Sequence, residues 1–174
     1  DRNYHLAMDA AEKVFDEVAA IDLPEVPRME RARAKMLGFA LGYYEQFLKD
    51  HQDDRVLLFD VGRAQIRLGV VLDALGETPR AETAFQQGIR ILERLTLNEP
   101  NRGSFLREKS AGEFGYGILL KKINQFARAE GLMRKALTDY ESLAKHVDAT
   151  DDDARKAASA RYQLGAILAR QQKR

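Results

Sequence analysis

Gly69, Gly117 and Gly165 lie 48 residues apart, each within a stretch that has the apolar rhythm of a helix. A glycine inside a helix costs about 1 kcal/mol relative to alanine, so three in one register call for a packing reason. Their surroundings recur as well. Leu68, Tyr116 and Leu164 stand immediately before the glycines, and Leu72, Leu120 and Leu168 follow one turn later. In the next helix Ala81, Phe85 and Gly88 match Ala129, Met133 and Ala136 at the same period. A self-similar period of this length restricts a chain to stacked supersecondary units, because one unit alone cannot bury its apolar face. The expectation is that each glycine meets the helix that follows it, with the small residues of that helix turned towards the notch.

Every long segment has helical periodicity, as in Leu57, Val61, Ala64, Leu68, Leu72 and Leu75, which fall on one stripe at steps of three and four. No stretch alternates long enough for a strand. The breaks predict seven helices, near 3–22, 28–50, 54–75, 79–97, 104–122, 125–146 and 151–172. Leu23-Pro24-Glu25-Val26-Pro27 ends the first, and Asp53 can cap the third. Gly76-Glu77-Thr78-Pro79 reads as a C-terminal glycine, then an N-cap threonine with proline at the first helical position. Asn124 turns the chain between the fifth and sixth helices. Thr150 and Asp153 have capping-box spacing, and the acidic triplet Asp151–Asp153 suits a helix N-terminus. The predicted fold is all-α, an α-solenoid of antiparallel helix pairs forming a single repeat domain over 1–174. Within it, 1–50 is a degenerate first pair, 54–97 and 104–146 are full repeats, and 151–174 is a final helix. Both ends read as cut from a longer chain.

The 174 residues are 45% hydrophobic and carry 28 Lys/Arg against 27 Asp/Glu, a net of +1. That is enough apolar material for one ordinary core. The charge balance argues against a dedicated nucleic-acid or membrane-surface binder. The longest stretch without a charged residue, Met36–Tyr44, falls far short of the roughly 20 residues of a membrane span. With no cysteine, disulfides, thiolate zinc sites, iron–sulfur clusters and a thiol nucleophile are excluded, and the redox compartment stays open.

The phrase Leu68-Gly69, Leu72, Gly76, Ala81, Phe85, Gly88 resembles a tetratricopeptide repeat. It departs from the usual pattern in three respects. Gln65 stands where an early aromatic is common, the closing proline comes late as Pro100, and the period is 48 instead of about 34. The added length amounts to about four helical turns, two per helix. This long period resembles the repeat arrays that follow the kinase domain in planctomycete-type bacterial serine/threonine kinases. Leu48-Lys49-Asp50-His51-Gln52 comes close to their inter-repeat phrase, Leu97-Asn98-Glu99-Pro100 partly so, and Lys145-His146 more distantly. The resemblance covers about residues 28–174. It implies a regulatory or partner-binding region of a signalling protein, without catalysis in this segment.

The residues point the same way. His5, His51 and His146 are scattered and lack metal-ligand spacing. Asp60-Val61-Gly62 looks like a kinase magnesium motif but falls inside a helical stripe with no glycine-rich loop or strand lysine near it. The glycines of Gly112–Gly117 follow no strand and so make no phosphate cradle. No cofactor or metal is expected.

Arrays of this kind present the first helix of each pair as a concave face. Placing Leu68 and Leu72 towards the core puts Arg63, Ile66, Arg67 and Val70 on the opposite side, and one period later Phe114 and Ile118 with Lys121 and Lys122. Another period gives Tyr162 and Arg170. The column Ile66, Phe114, Tyr162 is thus a candidate apolar groove with a basic rim, suited to an acidic and partly hydrophobic protein or peptide. The same column fits packing between successive pairs, and that reading is the stronger of the two. Apolar groups at Ile66, Val70, Phe114 and Ile118 occupy positions where a clamp for a terminal carboxylate needs polar ones. Two alternatives stand beside the interaction module: a self-association segment that covers its last helix with a second copy, and a helical ligand-binding or enzymatic bundle.

Overall fold

A computed structural model describes residues 27–172 apart from 52, 53 and 55, with side chains described from Lys35 onwards. The expected helix near 3–22, His5, the Pro24–Val26 break, the side chain of Ala32 and the cap at Asp53 lie outside the described residues. Those residues form six helices and no strand: α1 (Pro27–His51), α2 (Leu58–Ala74), α3 (Thr78–Asn98), α4 (Gly103–Lys122), α5 (Phe126–Leu143) and α6 (Asp151–Gln171). The boundaries expected from sequence hold to within a few residues. The largest departure is α2, which starts at Leu58 instead of 54, after a turn in which Leu57 N–H donates to the Asp54 carbonyl at 3.2 Å. Thr78 lies inside α3 and Glu77 takes the cap position, with Pro79 in the first turn.

Each helix packs on the next in the chain, and α4 also touches α2 and α6. Within the pairs α2/α3 and α4/α5 the helices are antiparallel. Early Gly62 meets late Leu92 while later Gly69 meets earlier Phe85, and Gly117 meets Met133 while Gly103 lies by Leu143. The even-numbered helices run parallel, shifted by close to one period. Phe59 of α2 lies 5.0 Å from Phe105 of α4 between ring centroids, and Lys122 Nζ donates to Asp73 at 2.9 Å across 49 residues. Arg107 Nε donates to Asp153 at 2.9 Å across 46 residues, tying α4 to α6.

The turns inside the two complete pairs repeat as well. Gly76 and Asn124, one period apart, both take left-handed backbone, with φ of 80° and 62°. In each turn the next residue's N–H closes back onto the preceding helix: Glu77 to the Leu72 carbonyl and Gln125 to the Leu120 carbonyl, both at 2.8 Å. Such a closure satisfies carbonyls that a helix end otherwise leaves open. At the start of α6, Thr150 N–H and Oγ1 donate to the Asp153 carboxylate at 2.8 and 2.9 Å, the acidic half of the expected capping box.

One core runs through all six helices, from Tyr44 and Phe47 through Leu72, Phe85 and Leu92 to Met133, Tyr140 and Ile167. Full burial of each such side chain is worth about 1.5–3 kcal/mol, which is what holds the helices in register. Leu68, Ala81, Tyr116, Ala129, Ala136 and Leu164 are buried as the repeat requires. Gly69 and Gly117 each meet the helix that follows, as expected, but small residues do not fill the notches. The ring of Phe85 lies over Gly69 and the end of Met133 over Gly117, so large side chains occupy them. Gly88 turns instead to Ile66 and the Gly62 carbonyl. Gly165 departs from the expected packing role altogether. It is exposed, with nothing within 4 Å of a Cβ there, because no described helix follows α6 to cover it.

Candidate functional site

The predicted groove column does not lie at one depth. Ile66 is only 1% exposed. Its side chain enters the space left by Gly88 of α3 and Gly112 of α4, where Cβ atoms would collide with it. Ile66 is therefore inter-helix core and not groove. One period on, the positions of those two glycines are Ala136 and Ala160, both fully buried. Those positions carry methyl groups where Ile66 finds none, and the larger Phe114 is half-buried against the core. Tyr162 is 74% exposed. Val70 and Ile118 are half-buried and packed on the core, so they contribute walls more than contact surface.

The basic rim is also corrected. Arg63 and Arg67 sit 3.9 and 3.7 Å from the Glu108 carboxylate, loose ion pairs that bind α2 to α4. Lys121 Nζ donates to Gln163 Oε1 at 2.6 Å and Lys122 to Asp73 at 2.9 Å. These cations join neighbouring even-numbered helices, whereas Arg170 stands exposed. Charges spent on intramolecular partners steer an incoming ligand weakly.

Between the even-numbered helices the structure holds a cavity of about 330 Å3. Arg67 of α2, Arg107, Glu108 and Phe114 of α4, Tyr140 of α5 and Lys156 of α6 line it. Sequence periodicity found Arg67 and Phe114. It missed Tyr140, which belongs to an odd-numbered helix and reaches through to this side. Its counterpart one period earlier is Leu92, so the hydroxyl is an addition at a core position. Burial, then the nearby carboxylates of Glu108 and Asp152, push the Tyr140 hydroxyl up from its ordinary value. On one wall Arg107 forms a fork with Asp153, with Nη2 at 3.0 Å from Oδ2, and also donates to the Asp148 carbonyl. Burial raises the Asp153 carboxyl, but the bonds from Arg107 and Thr150 outweigh it and hold the group below its usual range.

A second polar cluster lies between α4 and α5. Glu113 is 1% exposed, with Oε2 lacking any hydrogen-bond partner. Lys109 Nζ approaches its other oxygen at 3.6 Å and bonds Asp139 at 2.7 Å. Burial pushes the Glu113 carboxyl up to about 7, with Lys109 opposing. Its place one turn before Gly117, on the same helical face, is the signal that could have exposed it in the sequence.

Among the described residues no three His, Cys, Asp or Glu converge as a metal site, and no helix is long and apolar enough to cross a membrane. His51 lies against Phe47 with ring centroids 5.0 Å apart, and His146 Nδ1 accepts from Asp148 N–H at 3.3 Å. Asp60, Val61 and Gly62 lie within α2, and Gly112–Gly117 lie within α4. Comparison of the chain with protein-family models, with curated proteins and with solved structures finds no match.

Proposed function

We propose that this chain is a non-catalytic protein-interaction module, an α-solenoid of tetratricopeptide-like helix pairs that meets its partner on the face of α2, α4 and α6. The observation that carries the reading is the parallel alignment of those helices at close to one period, with a lined cavity between them. The recurrence of the Gly76 and Asn124 turns supports the repeat class. By the resemblance in its sequence, the module belongs to a larger bacterial signalling protein such as a serine/threonine kinase, where it binds a partner or regulates the catalytic domain. The partner is an acidic and partly apolar protein segment. Phe114 is its main anchor, since half-buried aromatics beside a cavity concentrate interface energy.

Peptides selected from a random display library against the full chain test this. With a selected peptide bound, backbone amide exchange should slow in α2, α4 and α6, and Phe114→Ala should weaken binding more than Lys122→Ala. Protection confined to the outer surfaces of α3 and α5 would overturn the reading. A second reading, self-association, is favoured by uncovered Gly165 and exposed Tyr162 on α6. Sedimentation of the chain across a concentration series separates the two.

A further inference from the structure

At Gly62, Gly69, Gly88, Gly112, Gly115 and Gly117 an added Cβ would come within 3.0 Å of another side chain, so close packing accounts for those helical glycines. Gly38 and Gly42 of α1 have nothing within 4 Å. Glycine is the poorest helix former after proline, and these two stand one turn apart with Phe39, 69% exposed, between them. The repeat shows what is unusual here. Leu37 and Tyr44 are buried, as are Phe85 and Leu92 of α3 and Met133 and Tyr140 of α5, so the three helices share one register. In that register Gly38, Phe39 and Gly42 occupy the places of Gln86, Gln87 and Arg90 on α3 and of Arg134, Lys135 and Thr138 on α5, all of them exposed. Met36, beside Phe39, is 48% exposed, whereas Ala84 at its place on α3 is buried. The outward ridge of α1 has thus lost its polar side chains and gained an aromatic knob between two notches.

The charges along the ridge indicate what fits it. Exposed Lys35 comes before the glycines, with Nζ 5.9 Å from the Phe39 ring centroid. Exposed Glu45 comes after them on the same face and is bridged to Arg80 of α3. We propose that α1 pairs with α1 of a second copy, antiparallel about a two-fold axis between Ala40 and Leu41, with Phe39 of each copy over Gly42 of the other. Lys35 and Glu45 lie on opposite sides of that axis and nearly equally far from it, so the antiparallel arrangement sets each lysine beside the other copy's carboxylate. A parallel pair would set like charges together. The two-fold makes the contact self-complementary and closed. The ridge belongs to the odd-numbered row, so pairing leaves the face of α2, α4 and α6 free, and the interaction-module reading is independent of it. One helix from each copy makes an interface at the small end of the specific range, which implies a weak dimer.

Sedimentation equilibrium of the full chain, from about 1 μM to about 1 mM, should show monomers passing to dimers and to nothing larger. Phe39→Lys and Gly42→Arg each install the residue that another pair carries at that place, Lys135 and Arg90. Each should weaken the dimer by about tenfold or more. Gly42→Arg should also keep or raise the unfolding midpoint, since arginine is the better helix former, and that separates a lost contact from a lost fold. Lys35→Glu should weaken the dimer by about fivefold, and adding Glu45→Lys should restore most of it. A chain that stays monomeric throughout, including one whose ridge is covered by another segment of the same molecule, would overturn the proposal. So would a dimer indifferent to Phe39→Lys and Gly42→Arg; if Gly165→Arg abolished that dimer instead, self-association would belong to α6. Unchanged affinity in Lys35→Glu would overturn the antiparallel arrangement. None of these outcomes bears on peptide protection of α2, α4 and α6, which tests the module separately.

Discussion

The ring of Phe85 closes over Gly69: a Cβ at that glycine would lie 2.9 Å from the ring Cγ. The ring also stacks on Tyr116 of the next pair, with centroids 5.9 Å apart and planes inclined by 13°. One side chain therefore fixes the spacing within the first pair and between the first and second. The three glycines of the repeat consequently differ in what they tolerate.

Gly69→Ala should destabilise by about 1–3 kcal/mol, because a rigid ring must move. Gly117→Ala meets only the mobile end of Met133 at 3.0 Å and should be near neutral, while Gly117→Leu should overpack by about 1–3 kcal/mol. Gly165→Ala has open space around it and should stabilise by up to about 1 kcal/mol through helix propensity. Denaturant unfolding of the series checks the order, and a destabilised Gly165→Ala would contradict the open face.

Glu113 should make stability depend on pH in a direction opposite to most carboxylates. Its folded pKa of about 7 lies above the ordinary value of 4.5, so the folded chain retains a proton that the unfolded chain has lost. Stability should fall as pH rises from about 4.5 to 7 and level off above that, by up to about 3 kcal/mol. Glu113→Gln should flatten this limb in urea titrations run at successive pH values. A slope unchanged by the substitution would show that another group is responsible.

The fork between Arg107 and Asp153 should hold the start of α6 against α4. Arg107→Ala strands a carboxylate that is 1% exposed and should cost about 2–4 kcal/mol, allowing for the partial exposure of the arginine. Because the Asp153 pKa is depressed, its contribution is present above the usual carboxylate range and lost as pH falls below it. Hydrogen exchange in α6 should accelerate in Arg107→Ala more than exchange in α3. Equal acceleration in both would mean that the fork acts globally.

The left-handed turn positions should respond as a matched pair. Asn124→Gly relieves a non-glycine residue at φ 62° and should be neutral or stabilising by up to about 1 kcal/mol. Gly76→Ala should destabilise by about 1–2 kcal/mol, since φ is 80° there. Thermal melts of the two variants read the difference directly.

The helices, their order and the turns at Gly76 and Asn124 were legible in the sequence because each depends on neighbours within a few residues: apolar steps of three and four, a left-handed residue, a cap. The period itself was legible too, since equivalent interfaces impose equivalent residues. Tertiary structure alone decided the depth of Ile66, Phe114 and Tyr162, three residues at one register position. Glycines at 88 and 112 leave space for the first, alanines stand at 136 and 160 one period on where the second is half-buried, and no described helix covers the third. It also decided that Lys121, Lys122, Arg63 and Arg67 serve as links between helices, and that a phenol at a core position reaches the opposite face. Burial and pairing at such positions depend on side-chain volumes and charges contributed by two or three other helices, far away along the chain, and local pattern carries no record of them.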